Sequence, residues 1–288
     1  MPHDLVLVQL LNGVQYGLLI FLAASGLTLI FGIMGVINLA HGSFYMLGAY
    51  MALTLTGLVG DIFLAVLLGI PLAIVFGAAI EWLFIRHLYD RDHLQQVLLT
   101  FALILIFNEL QSILWGNHPH SVAVPPYLAW SVPLTDTLGY PVYRLAVGGI
   151  CLALALAMVW VIQGTRVGCM IRAGESNREM VEALGIDARL LYRLVFAAGV
   201  ALAAGAGMIA VPIESAYPGI GERVLIISFV IVVIGGIGSV RGAFIGAILI
   251  GLADAFGKIL LPQFASIAMY ALMAAVLVVR PTGLFGRS

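Results

Sequence analysis

The sequence contains few charged residues and only two cysteines. Charged residues make up 9% of the 288 positions, whereas soluble domains average about 25%. This scarcity excludes an ordinary soluble protein, and no basic tract indicates a nucleic-acid partner. Cys151 and Cys169 would lie about 27 Å apart along one continuous helix, too far for a disulfide, so both are expected to be small packing residues.

Motifs for nucleotide binding, metal binding and hydrolysis are also missing. The glycine-rich stretch at 235–246 lacks the Lys-Ser/Thr ending that places a lysine on phosphates, and Lys258 is followed by Ile259. Neither a metal-spaced His/Cys/Asp cluster nor a G-x-S-x-G elbow occurs. We therefore expect no catalytic site and no cofactor bound by this chain.

Long apolar segments fill the sequence instead. Apolar residues make up 62% of the chain, and the mean hydropathy is +1.13. The segments are about 18–25 residues long, which suits helices that cross ~30 Å of hydrocarbon rather than barrel strands. The N-terminus lacks the basic region of a secretory signal, so the first segment counts as a span. We predict an all-α polytopic membrane protein with about nine spans at 8–31, 36–57, 62–85, 94–115, 143–163, 193–213, 223–240, 243–261 and 263–280.

The distribution of basic residues predicts the orientation. The loops at 86–93 and 164–192 are both basic and are separated by two spans, so both can face the cytoplasm. Ten of the thirteen basic residues then lie inside. We predict an N-terminus outside and a C-terminus inside, with a tight turn at 32–35 between the first two spans. An eight-span arrangement, with part of 32–57 re-entrant, remains open.

Small residues recur at a spacing of four in several spans. This spacing lets helix backbones approach closely in a membrane. It predicts packing and no chemistry. The patterns are Gly13/Gly17, Gly199/Ala203/Gly207 and Gly242/Gly246.

The segment from Arg166 to Arg193 is the longest polar interruption. It holds five of the thirteen basic residues and four acids. Within it, Glu175 to Leu184 is predicted to form a short amphipathic helix that ends at Gly185. A short helix on the cytoplasmic face is suited to docking a soluble partner. We treat residues 1–288 as one transmembrane domain, with 166–193 as a loop inside it.

Polar residues inside the apolar segments are candidates for a solute path. Asn38, His41 and Ser43 stand among glycines, and glycine-interrupted helices with polar groups often bind solute. The alternative, which the residues favour, is that Asn38 and His41 cap a helix start.

Other polar residues are predicted to be structural. Asn108, Glu109, Gln111 and Glu214 fall near the outer interface, where water reaches them. Asp254 and Lys258 stand four apart near mid-span, which favours an ion pair over a proton relay, because no second acid is expected nearby.

Three motifs together resemble one family. The stretch GLTLIFGIMGVINLAHGSFYMLGAYMA at 26–52 is similar to the N-terminal signature of LivH-type permeases of branched-chain amino-acid ABC importers. The stretches IRAGESNREMVEALGI and GGIGSVRGAFIGAILIG resemble its coupling segment and its glycine-rich late span. The polar Ser176-Asn177 pair departs from the coupling pattern. Positions that match the coupling motif are Arg172, Gly174, Glu175, Ala183, Leu184 and Gly185, and Glu179 lies within it.

The resemblance implies a multi-pass subunit of the bacterial inner membrane. It would work with a homologous second permease, two cytoplasmic ATPases that use ATP and Mg²⁺, and a periplasmic binding protein. The loops at 116–142 and 214–222 are candidates for contact with that binding protein, and the alternative is that 116–142 is only a connector. ATP-driven closure of the ATPases would move the coupling helix and rock the spans between two open states.

The resemblance leaves three alternatives. Urea or short-amide permeases have a similar N-terminal motif. A stand-alone secondary transporter or channel is disfavoured, because aligned intramembrane acids are missing and a docking loop is present. A membrane enzyme is disfavoured by the missing catalytic constellation.

Substitutions in the polar segment test the docking loop. We expect Glu175→Arg and Gly185→Trp each to abolish transport while the protein still inserts, because both alter the surface offered to a partner. Uptake assays and membrane fractionation measure the two effects. Unchanged uptake in both variants would refute the docking role.

Overall fold

A computed structural model describes residues 3–89, 91–134, 138–176, 178–260 and 262–286. Within these residues the regular structure is helical, apart from one small hairpin of β1 (Ser131–Pro133) and β2 (Gly139–Pro141), and irregular segments and short 3-10 turns connect the helices. The α-helices are α1 (His3–Met34), α2 (His41–Val59), α3 (Ile62–Leu83), α4 (His93–Trp115), α5 (Val142–Gly164), α6 (Arg166–Ser176), α7 (Arg178–Ala183), α8 (Ala188–Glu214), α9 (Ile220–Gly235), α10 (Val240–Leu260) and α11 (Ala265–Val279).

Among the described residues, seven helices are long and apolar enough to cross a membrane, namely α1, α2, α3, α4, α5, α8 and α10. The predicted multi-pass helical class is therefore confirmed. Helices α9 and α11 are shorter, at 16 and 15 residues. The predicted turn at 32–35 is misplaced, because α1 continues to Met34 and the irregular segment occupies 35–40.

Helices α1 and α8 form the centre of the bundle. The most apolar windows of α1 and α8 are 83% and 72% buried, against 22% to 28% for α3, α4 and α5. α1 runs antiparallel to α10, since Gly13 meets Gly251 and Gly17 meets Ala247. α8 packs against α1, α2 and α3.

Backbones touch where the sequence places small residues. A Cβ added at Gly48 of α2 would lie 2.2 Å from the carbonyl oxygen of Ala204 in α8. A Cβ at Gly207 of α8 would lie 2.1 Å from the carbonyl oxygen of Tyr45. The small-residue spacing thus marks close helix packing, as predicted.

The two ends of the bundle are distinct. One end, here called the α7 end, carries α6, α7 and the starts of α4, α8 and α10. The other, the loop end, carries the start of α1 and the 116–141 loop. That loop is tied down by the His120↔Ala216 bridge and by the Tyr127 hydroxyl, which donates to Asp61 at the start of α3. The Tyr127 hydrogen bond and the amide of Leu64 lower the pKa of Asp61 below its usual value.

Adding one methyl group tests the close packing. We expect Gly48→Ala to destabilise the protein by about 1–3 kcal/mol, because Ala204 backbone atoms leave no room for a Cβ. Gly57→Ala in the same helix is the matched control, since nothing lies within 4 Å of its Cβ position. Thermal unfolding in detergent measures both variants. Equal midpoints would contradict the packing account.

Candidate functional site

The polar segment between α5 and α8 begins with a sharp corner. The hydroxyl of Thr165 accepts a hydrogen bond from the Gly168 amide at 3.1 Å, as an N-cap does. A Cβ at Gly168 would lie 2.2 Å from the Ile162 carbonyl oxygen, so only glycine allows α6 to fold back this closely. Arg172 reinforces the corner by donating to the same Ile162 carbonyl oxygen.

Helix α7 presents an apolar surface to solvent. Val181 is 2% exposed and anchors the helix, whereas Met180 and Leu184 are 58% and 72% exposed. Residues 180 and 184 are four apart, so they lie on one side of the helix, and Ala183 beside them is also exposed. We call Met180, Ala183 and Leu184 the α7 surface. Exposed apolar groups in an otherwise polar segment are typical of a contact site.

The junction between α7 and α8 is fixed by two adjoining caps. Gly185 has a φ of +82°, its amide donates to Glu182 O at 3.0 Å, and the Ile186 amide donates to Val181 O at 3.2 Å. This pattern is a Schellman motif, and it confirms Gly185 as the C-cap glycine. Asp187 then caps α8 by accepting from the Arg189 and Leu190 amides at 2.9 and 3.1 Å. These two closely spaced caps set a definite angle between α7 and α8.

The predicted single helix from Glu175 to Leu184 is wrong in its bounds. Helix α6 extends to Ser176, and α7 covers only Arg178–Ala183. Asn177 and the side chains of Glu175 and Glu179 lie outside the described part of the structure. Gly174 lies against α8, since its Cβ position is 3.4 Å from the Leu191 side chain.

A buried ion pair near this segment was not predicted from the sequence. Glu81 is 1% exposed at the end of α3, and its carboxylate lies 2.9 Å from Arg193 Nε in α8. The Tyr89 hydroxyl also donates to it. The sequence feature that could have indicated this pair is Glu81 itself, an acid in the last turn of an apolar span. The pair holds α3 to the part of α8 that follows α7.

Asn38, His41 and Ser43 are all buried, at 0%, 1% and 3% exposure. The prediction that Asn38 and His41 cap a helix start is wrong, because α2 has Ala40 at its N-cap and no side-chain capping bond. His41 Nε2 instead pairs with the Ala23 carbonyl oxygen at 2.8 Å. Both polar atoms of the Asn38 side chain and His41 Nδ1 lack a hydrogen-bond partner within the described ranges. These unpaired polar atoms keep the solute-path hypothesis open.

A polar cavity of about 280 Å³ lies at the loop end, between α1, α5, α8 and α10. We call it the loop-end cavity. Its polar lining is Gln9, Asn12, Gln15, Tyr16, Arg144, Glu214, Asp254 and Lys258.

Two expectations about Asp254 and Lys258 change at this cavity. Lys258 Nζ lies 2.6 Å from Asp254 Oδ2, but the pair occupies the last two turns of α10 rather than mid-span. The expectation of no second acid nearby is wrong, because Glu214 lines the same cavity. Four helices far apart in sequence form this site, so only a three-dimensional arrangement reveals it.

The other late polar residues differ in exposure. Gln111 is 1% exposed and donates to Gly116 O at 2.7 Å, and Asn108 donates to Glu222. The expectation that water reaches all of them is therefore wrong for Gln111, whereas Glu109 is exposed. Cys151 is buried as expected, but Cys169 is exposed and is not a packing residue.

Sequence comparisons match this chain to a transport family. Residues 9–279 match the family described as the permease component of branched-chain amino acid transport systems. The chain is 32% identical to the high-affinity branched-chain amino acid transport system permease protein LivH of Escherichia coli K12, over 98% of this chain and 96% of LivH. It is 30% identical to the corresponding protein BraD of Pseudomonas aeruginosa, with the same two coverages. No solved structure matches significantly.

Loss of Arg193 tests the role of the buried ion pair. We expect Arg193→Leu to lower the free energy of unfolding by about 1.5–3 kcal/mol, because the buried Glu81 carboxylate would lose its partly exposed cationic partner while the Tyr89 hydroxyl still donates to it. Arg189→Leu removes an exposed arginine from the first turn of the same helix and should stay within about 0.5 kcal/mol. Thermal unfolding of the purified variants measures both. Equal losses would show that the pair does not hold α3 to α8.

Proposed function

This chain belongs to the permease components of branched-chain amino acid transport systems, and we propose that it carries branched-chain amino acids across the bacterial inner membrane as one subunit of an ABC importer. The observation that carries the proposal is the match over residues 9–279, and the exposed apolar residues of the α7 surface are consistent with it. We further propose a single permease domain over residues 1–288, with 166–193 as its coupling loop.

The charge distribution supports an orientation for this proposal. The α7 end holds Arg86, Arg91, Arg166, Arg172, Arg189, Arg193, Arg241 and Arg280, whereas Arg144, Arg223 and Lys258 lie at the loop end. We propose that the α7 end is cytoplasmic, in line with the excess of basic residues in cytoplasmic loops. We propose that α9 and α11 also cross the membrane, which would give nine spans among the described helices, with the N-terminus outside and the C-terminus inside.

The α7 surface is the proposed contact with an ATPase. Its apolar groups would be covered by one of two cytoplasmic ATPases, which would bind the ATP and Mg²⁺ and carry out hydrolysis. A homologous second permease and a periplasmic binding protein would complete the importer. This chain itself would bind no cofactor and catalyse no reaction.

Helix α8 is the element that would transmit the movement. It begins directly after α7 and ends at Glu214 on the loop-end cavity, so its 27 residues span about 40 Å. Because the Gly185 and Asp187 caps fix the α7–α8 angle, displacement of α7 would displace α8. Such a motion would alternate access to the solute path without chemistry on the substrate.

Uptake of labelled leucine tests the proposed substrate. Cells lacking the gene should lose leucine uptake, the restored gene should recover it, and unlabelled urea should not compete. Unaffected leucine uptake on deletion would contradict the branched-chain assignment. Competition by urea would favour a urea or amide permease.

Two leucine-to-aspartate substitutions, one on the α7 surface and one away from it, test the docking role in the same cells. Leu184→Asp should abolish both uptake and co-purification of the ATPases, because it places a charge on the α7 surface. Leu58→Asp is the matched control, since Leu58 is 77% exposed but lies at the loop end. Retained ATPase binding by the Leu184 variant would contradict the docking role.

A further inference from the structure

The loop-end cavity brings together two acids and two bases. Arg144 comes from the first turn of α5, Glu214 from the last turn of α8, and Asp254 and Lys258 from the end of α10. Their formal charges cancel. Ionised residues within a membrane bundle are expensive, and substrate pathways are among the places where they occur. A cavity of about 280 Å³ is close to the lower limit of small-ligand pockets, which are ~300–1,000 Å³.

The charges in this cavity are only partly paired with one another. Among described residues, the ion pairs are Glu81–Arg193 and Asp254–Lys258, so neither Glu214 nor Arg144 has an ionic partner within 4 Å. Arg144 donates a hydrogen bond to Asn12 Oδ1 at 2.9 Å and also interacts with the Tyr140 hydroxyl, and a guanidinium with five N–H donors retains others for a ligand. Arg223, the other base at this end, donates to the Tyr217 hydroxyl instead. Within the described part of the chain, one carboxylate and one guanidinium therefore face the cavity without an ion pair inside 4 Å, although Arg223 and Lys258 lie near enough to Glu214 to interact with it electrostatically.

We propose that the loop-end cavity binds the charged head of a zwitterionic α-amino acid, with Glu214 receiving the ammonium and Arg144 receiving the carboxylate. The proposal rests on the function proposed above, for which it names the substrate contacts. A guanidinium binds a carboxylate through two parallel hydrogen bonds, which fixes the orientation of the ligand. The Asp254–Lys258 pair completes the polar wall, and Lys258 retains donors beyond the one that Asp254 accepts.

The composition of the cavity favours a zwitterion over other solutes. A net anion would meet Glu214 and Asp254, and a net cation would meet Arg144 and Lys258. A neutral solute such as urea would leave the unpaired charges without counter-ions. Leu19 and Ile213 also line the cavity and offer apolar contact to a side chain. The site thus recognises the part that all α-amino acids share, with a modest apolar wall beside it.

Neutral variants of the two unpaired residues test the proposal in the complete importer. Glu214→Gln and Arg144→Gln should each reduce leucine uptake by about tenfold or more, while binding-protein-stimulated ATP hydrolysis remains. Glu214→Asp and Arg144→Lys should recover part of the uptake, because they restore the charge. Glu109→Gln and Arg91→Gln are matched controls, since both residues are exposed outside the cavity.

Uptake within twofold of wild type in both neutral variants would overturn the proposal. If the wild-type importer takes up no leucine, the proposed function is overturned instead. The two failures are therefore distinguishable. A loss of uptake that the charge-restoring variants do not recover would indicate a merely structural role and would also overturn the inference.

Protection of a cavity cysteine from labelling by bound leucine provides a second measurement. It does not depend on the folding of the Glu214 and Arg144 variants. Gln9→Cys places a thiol on the cavity, and Cys169→Ser removes the exposed native thiol. In the purified complex, leucine should slow maleimide labelling of position 9 by severalfold, with no effect on a Leu58→Cys control. Leucinamide, which lacks the carboxylate, and 4-methylpentanoate, which lacks the ammonium, should not protect. Equal protection by either analogue, or none by leucine, would overturn the proposal.

Discussion

The cost of placing an ionised side chain in hydrocarbon governs where this chain carries its charges. A charge at the centre of a bilayer costs at least ~2.5 kcal/mol, and only 9% of the residues are charged. Most basic residues lie at the α7 end of the bundle. Glu81 is buried but has Arg193 and Tyr89 beside it. The loop-end cavity is the exception, because Glu214 and Arg144 share it without an ion pair inside 4 Å, and that exception is the basis on which we propose a solute site there.

The sequence predicted the helices more accurately than the contacts between them. Long apolar segments marked the spans, and Gly185 marked the end of α7, because each signal lies within one short stretch of chain. The loop-end cavity draws Tyr16, Arg144, Glu214 and Asp254 from four helices, and no local pattern records that convergence. The capping role assigned to Asn38 failed for a related reason. Its local context resembled a helix start, but the backbone begins α2 at His41 with Ala40 as the cap.

Helix α8 connects the α7 surface with the loop-end cavity. The α7 surface, to which an ATPase would bind, leads through two caps into α8, and the last residue of α8 lines the cavity. Such a direct connection needs no chain of intermediate residues to relate the two ends. The buried Glu81–Arg193 pair joins α3 to the same helix, so α3 would follow its movement.

The glycine contacts around α8 have a further consequence for motion. Where large side chains interlock, one helix can slide along another only by lifting ridges out of grooves. Gly26 against Gly199, Gly48 against Ala204, and Gly207 against Tyr45 bring backbone surfaces together with few side chains between them. Smooth surfaces of this kind resist separation but offer little resistance to axial shear. The bundle can therefore be tightly packed and still allow α8 to slide along its own axis.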